Sequence, residues 1–491
     1  MDKYKTPLPS LNQLTKVHVV GVGGTLMGAF AAFLKRRGIE VTGSDQNVYP
    51  PMSEVLKDAG VQIFNGYLAE NLTGMKVRPD LVVIGNVISR ENVEAKAAIE
   101  GGFAYTSLPE AMERILLPKT KNLVVAGTHG KTTTSSMLAH VLIKAGRDPS
   151  YFIGGVSPDL SVSFHLGQQA IQNQTGLFVL EGDEYDTAFW DKVPKFNHYL
   201  PNDVILTSVE YDHADIYPNF QAVRRAFEGL ISRIRAPGKL IACYDYLVIK
   251  EMIQGSSFPK DHVLSYGSNR KTGARFTPGH IHIGEDRTQF VVMDGDRKID
   301  EIAIRIPGNH NVLNALGVWI QGKELGLSSD EIRNALASFK GVKRRQEERG
   351  EVGGVLVIDD FAHHPTAVRE TLRALRAKYS KRRVVAVFEP RSATSRRKVF
   401  QKDYGKAFEE VQATFISAPY DQTKIAAGEQ FSSAELVADL KNLGKEAFLI
   451  ESVENGVQQV AQFAQAGDVV AVLSNGGFGG FIPKLLEALK K

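Results

Sequence analysis

The chain has 491 residues, 43% of them hydrophobic and 23% charged, with a formal net charge of +4 at pH 7. At roughly 150 residues per domain this length suggests about three domains, and so dilute a charge gives no reason to expect nucleic acid as a partner, while small anionic substrates remain open. A single cysteine, Cys243, excludes an internal disulfide framework and a cysteine-based zinc site, which makes a reducing cytoplasm the expected compartment. No stretch approaches the roughly 20 apolar residues of a membrane helix, and the start, Met1 to Pro7, lacks the apolar centre of a signal peptide; action on soluble material, with no membrane partner, is expected.

In chain order, Val17-His-Val-Val20 reads as a buried strand that opens into Gly21-Val-Gly-Gly-Thr-Leu-Met-Gly28 and an apolar helix reaching Arg37. Glu40-Val-Thr-Gly-Ser-Asp45 then reads as a second strand ending in a carboxylate. This is a Rossmann-like start, in which glycines let backbone approach phosphates and a terminal acid accepts from a sugar hydroxyl. The spacing departs from strict G-x-G-x-x-G, so a tight packing turn without a ligand is the competing reading. A third strand, Leu81-Val-Val-Ile84, runs into Gly85-Asn86, at the edge where ligands of parallel sheets sit.

The most informative segment is Val124-Val-Ala-Gly-Thr-His-Gly-Lys-Thr-Thr-Thr134. A polyphosphate needs closely approaching N–H donors, a helix N-terminus, a cation and a hydroxyl for Mg²⁺. Gly127, Thr128, His129, Gly130, Lys131, Thr132 and Thr133 can supply all of these. The usual pattern would place its first glycine at Val125, so this is a shortened variant. ATP or GTP is the leading ligand.

Apolar strands recur at Leu177-Phe-Val-Leu180 and Val204-Ile-Leu-Thr207, followed by Glu181-Gly-Asp-Glu-Tyr-Asp186 and Glu210-Tyr-Asp-His213. Mg²⁺ prefers oxygen ligands, which suits Thr132 and Glu181 better than His213; a solvated acidic loop and a turn histidine are the alternatives. Alternation from about 260 to 310 suggests antiparallel strands, and a helix is expected from Val312 to Leu325. In Gly308-Asn-His-Asn-Val-Leu-Asn314, Asn311 and Asn314 share a helical face that meets an adenine edge or caps the helix.

From about Val342 a further α/β unit is expected, with strands at 354–358, 383–388, 413–416 and 469–473. Asp359-Asp-Phe-Ala-His-His-Pro365 and Glu389-Pro-Arg-Ser-Ala-Thr-Ser-Arg-Arg397 both fall at strand ends, where arginine binds carboxylates bidentately. A zinc site from His363 and His364 is not expected, because adjacent loop residues seldom both ligate and no cysteine accompanies them.

Taken in order, the two glycine loops, Glu181-Gly-Asp-Glu-Tyr-Asp186, Asp212-His213, Asn309-His-Asn-Val-Leu-Asn314 and Asp359-Asp-Phe-Ala-His-His-Pro365 resemble the Mur ligases of peptidoglycan synthesis across essentially the whole chain. The resemblance implies an α/β fold of three domains: a Rossmann-like UDP-sugar-binding domain at 1–119, a central P-loop ATPase-type domain with a mixed sheet at 120–341, and a Rossmann-like C-terminal domain for the incoming amine at 342–491. It assigns Gly21, Gly23, Gly24, Thr25, Asp45 and Asn86 to the UDP-sugar, and Lys131 with its loop, Asn311, Asn314, Arg345 and Asp360 to ATP. It assigns Thr132, Glu181 and His213 to Mg²⁺, and His363, Arg391 and Thr394 to the peptide. Lys131, Glu181, His213 and His363 are the implied catalytic set, with His363 or His364 the candidate base for the amine.

Within the family, Gly43 to Ser53, Glu389-Pro-Arg-Ser392 and Ser474-Asn-Gly-Gly-Phe-Gly-Gly480 point to the branch that joins L-Ala-γ-D-Glu-meso-diaminopimelate to UDP-N-acetylmuramate. The branch that adds L-alanine is the alternative. Several relatives use a carbamylated lysine after the aspartate–histidine pair. This chain has no lysine from Phe196 through Gly238, as is also expected of the alanine-adding branch. The implied chemistry is activation of a carboxylate by ATP, then amide formation. A dinucleotide-dependent dehydrogenase, suggested by the first glycine loop, leaves the second loop and the acidic cluster without a role.

Overall fold

The computed structural model describes residues 8–50, 52–160, 162–171 and 175–490. The Met1 to Pro7 start, and Pro51 within the Gly43 to Ser53 segment, lie outside the described residues. The chain divides into two compact units. One runs to Val209 and includes Arg224–Tyr266 and Gly317–Ala335; the other comprises Glu210–Val223, Gly267–Leu316 and the chain from Leu336.

The first unit holds a two-stranded antiparallel pair, Asp186–Ala188 with Asp191–Pro194, and strands of two larger sheets. Strands Gln62–Asn65, Glu40–Asp45, Lys16–Val20, Leu81–Ile84 and Tyr105–Ser107 lie in that spatial order, all parallel. The order reverses beside Lys16–Val20, so the Gly21 loop, Asp45 and Asn86 gather at the carboxyl edge of the switch point. Helix Thr25–Arg36 packs close because Gly28 has no side chain: a Cβ there would sit 2.3 Å from Met52 Sδ and 2.8 Å from the Val22 carbonyl.

The second sheet of this unit runs Val263–Tyr266, Leu240–Cys243, Asp203–Leu206, Lys121–Ala126, Leu177–Gly182, Ser150–Phe152, Phe164–His165. Its pairs are parallel except the last, which is antiparallel and makes the sheet mixed. Val124 and Val125 are fully buried, paired with Val204 and Ile205 on one side and Leu180 and Glu181 on the other. Position 125 is therefore a core strand residue, and the loop turns two residues later than a standard phosphate loop would.

In the second unit, Phe276–Ile283, Thr288–Asp294 and Arg297–Ile304 form the expected antiparallel meander; helix Asn309–Glu324, of which only the part up to Leu316 belongs to this unit, begins three residues earlier than its apolar pattern. The third sheet runs Glu347–Val352, Val355–Asp360, Val469–Leu473, Val384–Phe388, Ala413–Ser417, Glu446–Ile450, parallel except for the first strand. Both faces are covered by apolar clusters, one around Leu372, Phe388 and Phe408, the other around Val457, Phe415 and Phe481. This two-sided burial is why the strands read as continuous Val/Ile/Leu runs. Among the described residues no helix is long and apolar enough to cross a membrane.

Candidate functional site: a phosphate loop and a buried aspartate hub

The strand Lys121–Ala126 delivers the chain into Gly127 at φ 138°, where an added Cβ would lie 2.2 Å from Thr207 Oγ1 and 2.8 Å from the Ser208 backbone nitrogen. Only glycine fits there. The neighbouring strand clamps the loop: Thr207 Oγ1 donates to the His129 carbonyl at 2.6 Å, and the N–H groups of Thr128 and His129 donate to Ser208 O and Oγ at 3.1 and 2.8 Å. Gly130, left-handed at φ 81°, then caps helix Lys131–Lys144. The N–H groups of Lys131, Thr132 and Thr133 fall in its first turn, which carries the positive end of the helix dipole.

Two carboxylates face this turn, Glu181 on the strand Leu177–Gly182 and Glu184 just past its end. Glu181 Oε1 accepts from Thr132 Oγ1 at 2.5 Å and Oε2 from the Gly154 N–H at 2.7 Å. Burial pushes the Glu181 carboxyl above its ordinary range, against the pull of Thr132, Gly154 and Lys131. Glu184, 2% exposed, pairs with Lys131 Nζ at 2.9 Å. Burial alone would lower the Lys131 ammonium, but Glu184, Asp183 and Glu181 together raise it. Asp183 has its own cation, Lys195, at 2.5 Å; despite burial, Lys195 and Lys131 hold it down at about 2.

Thr132 and Glu181 present a hydroxyl and a carboxylate with touching oxygens. This donor pair suits a hard divalent cation of the Mg²⁺ type, with waters completing its shell. His213 belongs to the other unit, at φ 54° next to Asp212.

At the N-terminal sheet edge, Gly21 is left-handed at φ 85° and Gly24 caps the helix that starts at Thr25. The Gly23 N–H donates to Asp45 Oδ2 at 2.9 Å, and a Cβ at Gly23 would fall the same distance from that oxygen. Asp45 thus braces the glycine loop through one carboxylate oxygen. Asn86 is exposed just past Leu81–Ile84.

In the second unit Asp360, at the end of Val355–Asp360, accepts from the Gln346 N–H at 2.8 Å and the Ala362 N–H at 2.7 Å. Burial raises its carboxyl, opposed by Arg345. Arg344 and Gln346 both have positive φ, 58° and 54°, on either side of Arg345; such strained backbone is concentrated at functional loops. Asn311 donates to the Pro307 carbonyl at 2.8 Å and Asn314 to Asn311 Oδ1 at 3.2 Å, so part of both amides braces the helix start.

The third-sheet loops converge on Asp212. Thr394 Oγ1 donates to Asp212 Oδ1 at 2.6 Å and accepts the Ala214 N–H at 3.2 Å, while His363 Nε2 stands 3.6 Å from Asp212 Oδ2. Burial works against the Asp212 charge, yet His363, His213 and His364 hold its carboxyl well below the usual range. His363 Nδ1 faces the Phe361 carbonyl at 3.1 Å, so both ring nitrogens point at oxygens. The Arg391 guanidinium lies 3.8 Å over the Tyr420 ring and is pressed on Gly476, whose missing Cβ would be 2.1 Å from Arg391 Nε.

Three blocks of the chain match known families: residues 16–120 the Mur ligase family catalytic domain, 125–321 the Mur ligase middle domain, and 344–476 the Mur ligase glutamate ligase domain. The chain belongs to the Mur ligase family. It is 36% identical over 477 residues to the UDP-N-acetylmuramate–L-alanyl-γ-D-glutamyl-meso-2,6-diaminoheptandioate ligase of Escherichia coli (strain K12), covering 97% of this chain and 98% of that one. It is 33% identical over 497 residues to the UDP-N-acetylmuramate–L-alanine ligase of Carboxydothermus hydrogenoformans, covering 99% of each. Among solved structures, a murein peptide ligase from Psychrobacter arcticus 273-4 superposes with a TM-score of 0.68 at 33% identity, over 97% of this chain and 99% of that chain.

In this Mur ligase, Glu184 and Asp212 hold places at the site that no local sequence signal marks. Glu184 lies inside an acidic run, and its signal is that a lysine in a buried loop calls for a counter-charge. Asp212 belongs to the aspartate–histidine motif, but its partners Thr394 and His363 lie 182 and 151 residues further along the chain, beyond any local pattern.

Proposed function

We propose that this Mur ligase uses ATP to join L-Ala-γ-D-Glu-meso-diaminopimelate to the lactyl carboxylate of UDP-N-acetylmuramate. One observation carries the ATP step: Lys131, the Thr132–Glu181 oxygen pair and the N-terminus of Lys131–Lys144 meet at one loop. End-to-end similarity to the E. coli tripeptide ligase supports the choice of acceptor and amine.

A carboxylate is a poor acyl donor because its oxygen leaves badly. Attack of the lactyl carboxylate on the γ-phosphorus forms an acyl phosphate and expels ADP; the peptide amine then attacks the acyl carbon, and phosphate departs as the amide forms. Lys131 and the first-turn N–H groups hold the phosphates in line and offset the charge that builds on their oxygens. Thr132 and Glu181 would hold Mg²⁺, which supplies further charge neutralisation when bound. Gly21, Gly23, Gly24, Thr25, Asp45 and Asn86 are proposed to receive the UDP-sugar. Asn311, Asn314, Arg345 and Asp360 are proposed for the nucleoside, His213 for a second metal contact, and His363, Arg391 and Thr394 for the peptide side. His363 or His364 is proposed as the base that takes the amine proton.

The test is phosphate release with purified enzyme, ATP, Mg²⁺, UDP-N-acetylmuramate and amine. Release is expected only when both acceptor and amine are present, and steady hydrolysis indifferent to either overturns the ligase reading. Similarity to the C. hydrogenoformans L-alanine ligase over 99% of both chains favours L-alanine as the second reading. Offering tripeptide and L-alanine together in one reaction, with products resolved by mass, separates the two.

A further inference from the structure

The ATP step needs Lys131 on a phosphate oxygen, yet its ammonium is already engaged. Nζ donates to the Gly127 carbonyl at 2.7 Å and the Thr128 carbonyl at 3.2 Å, and lies 3.0 and 2.9 Å from Oε1 and Oε2 of Glu184. An ammonium has three N–H bonds, so these three groups exhaust it. A phosphate is reached only by giving one of them up.

The three acceptors are not equivalent. Both carbonyls are neutral and belong to the loop backbone, which Thr207 and Ser208 clamp in place. Glu184 is an anion at the ammonium and repels an incoming anion. It is also 2% exposed, so solvent ions screen the pair little. Asp183, the next acid in the run, pairs with Lys195 at 2.5 Å, which leaves Glu184 as the carboxylate closest to Lys131.

We infer that Glu184 is a positioning residue: it orients Lys131 into the loop and is the partner exchanged for the nucleotide phosphate, so that it sets ATP affinity by competition. The inference rests on the ATP reading above and adds to it a determinant of affinity in the acidic run. A loop lysine that must leave a buried carboxylate binds nucleotide more weakly than one that need not, and in return its side chain is already held against the loop.

The test is calorimetric titration of the full chain with ATP and Mg²⁺ at low ionic strength. Glu184→Gln, which keeps the shape but removes the charge, is expected to lower the dissociation constant about tenfold, with kcat falling as Lys131 loses its orienting contact. Glu184→Asp keeps the charge on a shorter stem and is expected to lie between wild type and Gln; it also serves as the readout if Gln does not fold. In a Lys131→Ala background the Gln substitution is expected to shift affinity by clearly less than in the wild-type background, because the exchange it relieves no longer exists and only direct repulsion remains. An unchanged or raised dissociation constant in a folded Glu184 variant, or an equal shift in both backgrounds, overturns the inference. ATP binding by wild type without ligation would overturn the substrate reading alone; no ATP binding would overturn both.

Discussion

Thr394 donates its hydroxyl to Asp212 at 2.6 Å while taking the Ala214 N–H on its own oxygen, so one 2%-exposed side chain ties the strand-end loop after Val384–Phe388 to the aspartate–histidine turn. A buried carboxylate that loses such a donor keeps its desolvation cost. Thr394→Val is therefore expected to destabilise the protein by about 2 kcal/mol, visible as a lowered thermal midpoint, whereas Thr394→Ser keeps most of the wild-type value. If Val melts with the wild type, the hydroxyl is not a structural brace.

Removal of Lys131 should separate activity from stability. Lys131→Ala is expected to lower turnover by about two to three orders of magnitude, the scale of losing one charge-stabilising donor. It also strips Glu184 of a cation, so the midpoint falls. Adding Glu184→Gln is expected to recover much of the midpoint and none of the turnover. A double variant that regains activity would contradict the assignment of Lys131.

Gly127→Ala places a methyl 2.2 Å from Thr207 Oγ1 on backbone at φ 138°. The expected outcome is at least a tenfold rise in KM for ATP, because the loop must open to admit the methyl, with a strain of about 1–3 kcal/mol at that residue. The KM for the UDP-sugar, measured alongside, is expected to change far less.

His198 offers a pH readout away from the phosphate loop. Its Nδ1 meets Glu113 at 2.5 Å and its Nε2 meets Asp191 at 2.7 Å, joining helix Leu108–Ile115 to the strand Asp191–Pro194. Burial would lower the imidazolium, but the two carboxylates raise it to about 9. A raised folded value gives stability fully present below the ordinary value of 6.5 and lost as pH climbs through about 9. At about 1.4 kcal/mol per pH unit the contribution is capped near ~3 kcal/mol. The midpoint deficit of His198→Gln is expected to be largest at pH 6 and to shrink steadily toward pH 9.5; a deficit independent of pH would show that the pair is not ionic.

Much of this was legible because the relevant chemistry is local. Gly127 through Thr133 carry turn, cation and hydroxyl within seven residues, and alternation in Gln289 to Gly295 marks the meander directly. The third sheet's buried strands read as apolar runs for the same reason. Less legible were Phe164–His165 and Tyr105–Ser107, too short to show a period, and Glu347–Val352, whose polar Glu-Glu-Arg-Gly-Glu-Val finds strand geometry only by pairing with Val355–Asp360. Contacts that depend on the fold were the least accessible. Lys131 and Glu184 are 53 residues apart, and the aspartate hub draws on three loops that no local pattern connects.

Val469–Leu473 lies between Val355–Asp360 and Val384–Phe388 although it follows every other strand of its sheet in the chain. On a ribosome, the strands made earlier emerge with their central slot unfilled, and two apolar edges stay exposed until residue 473 has cleared the exit tunnel. A stop codon anywhere before that point yields a chain whose third sheet cannot close, and such fragments are expected to be cleared by proteolysis or to aggregate.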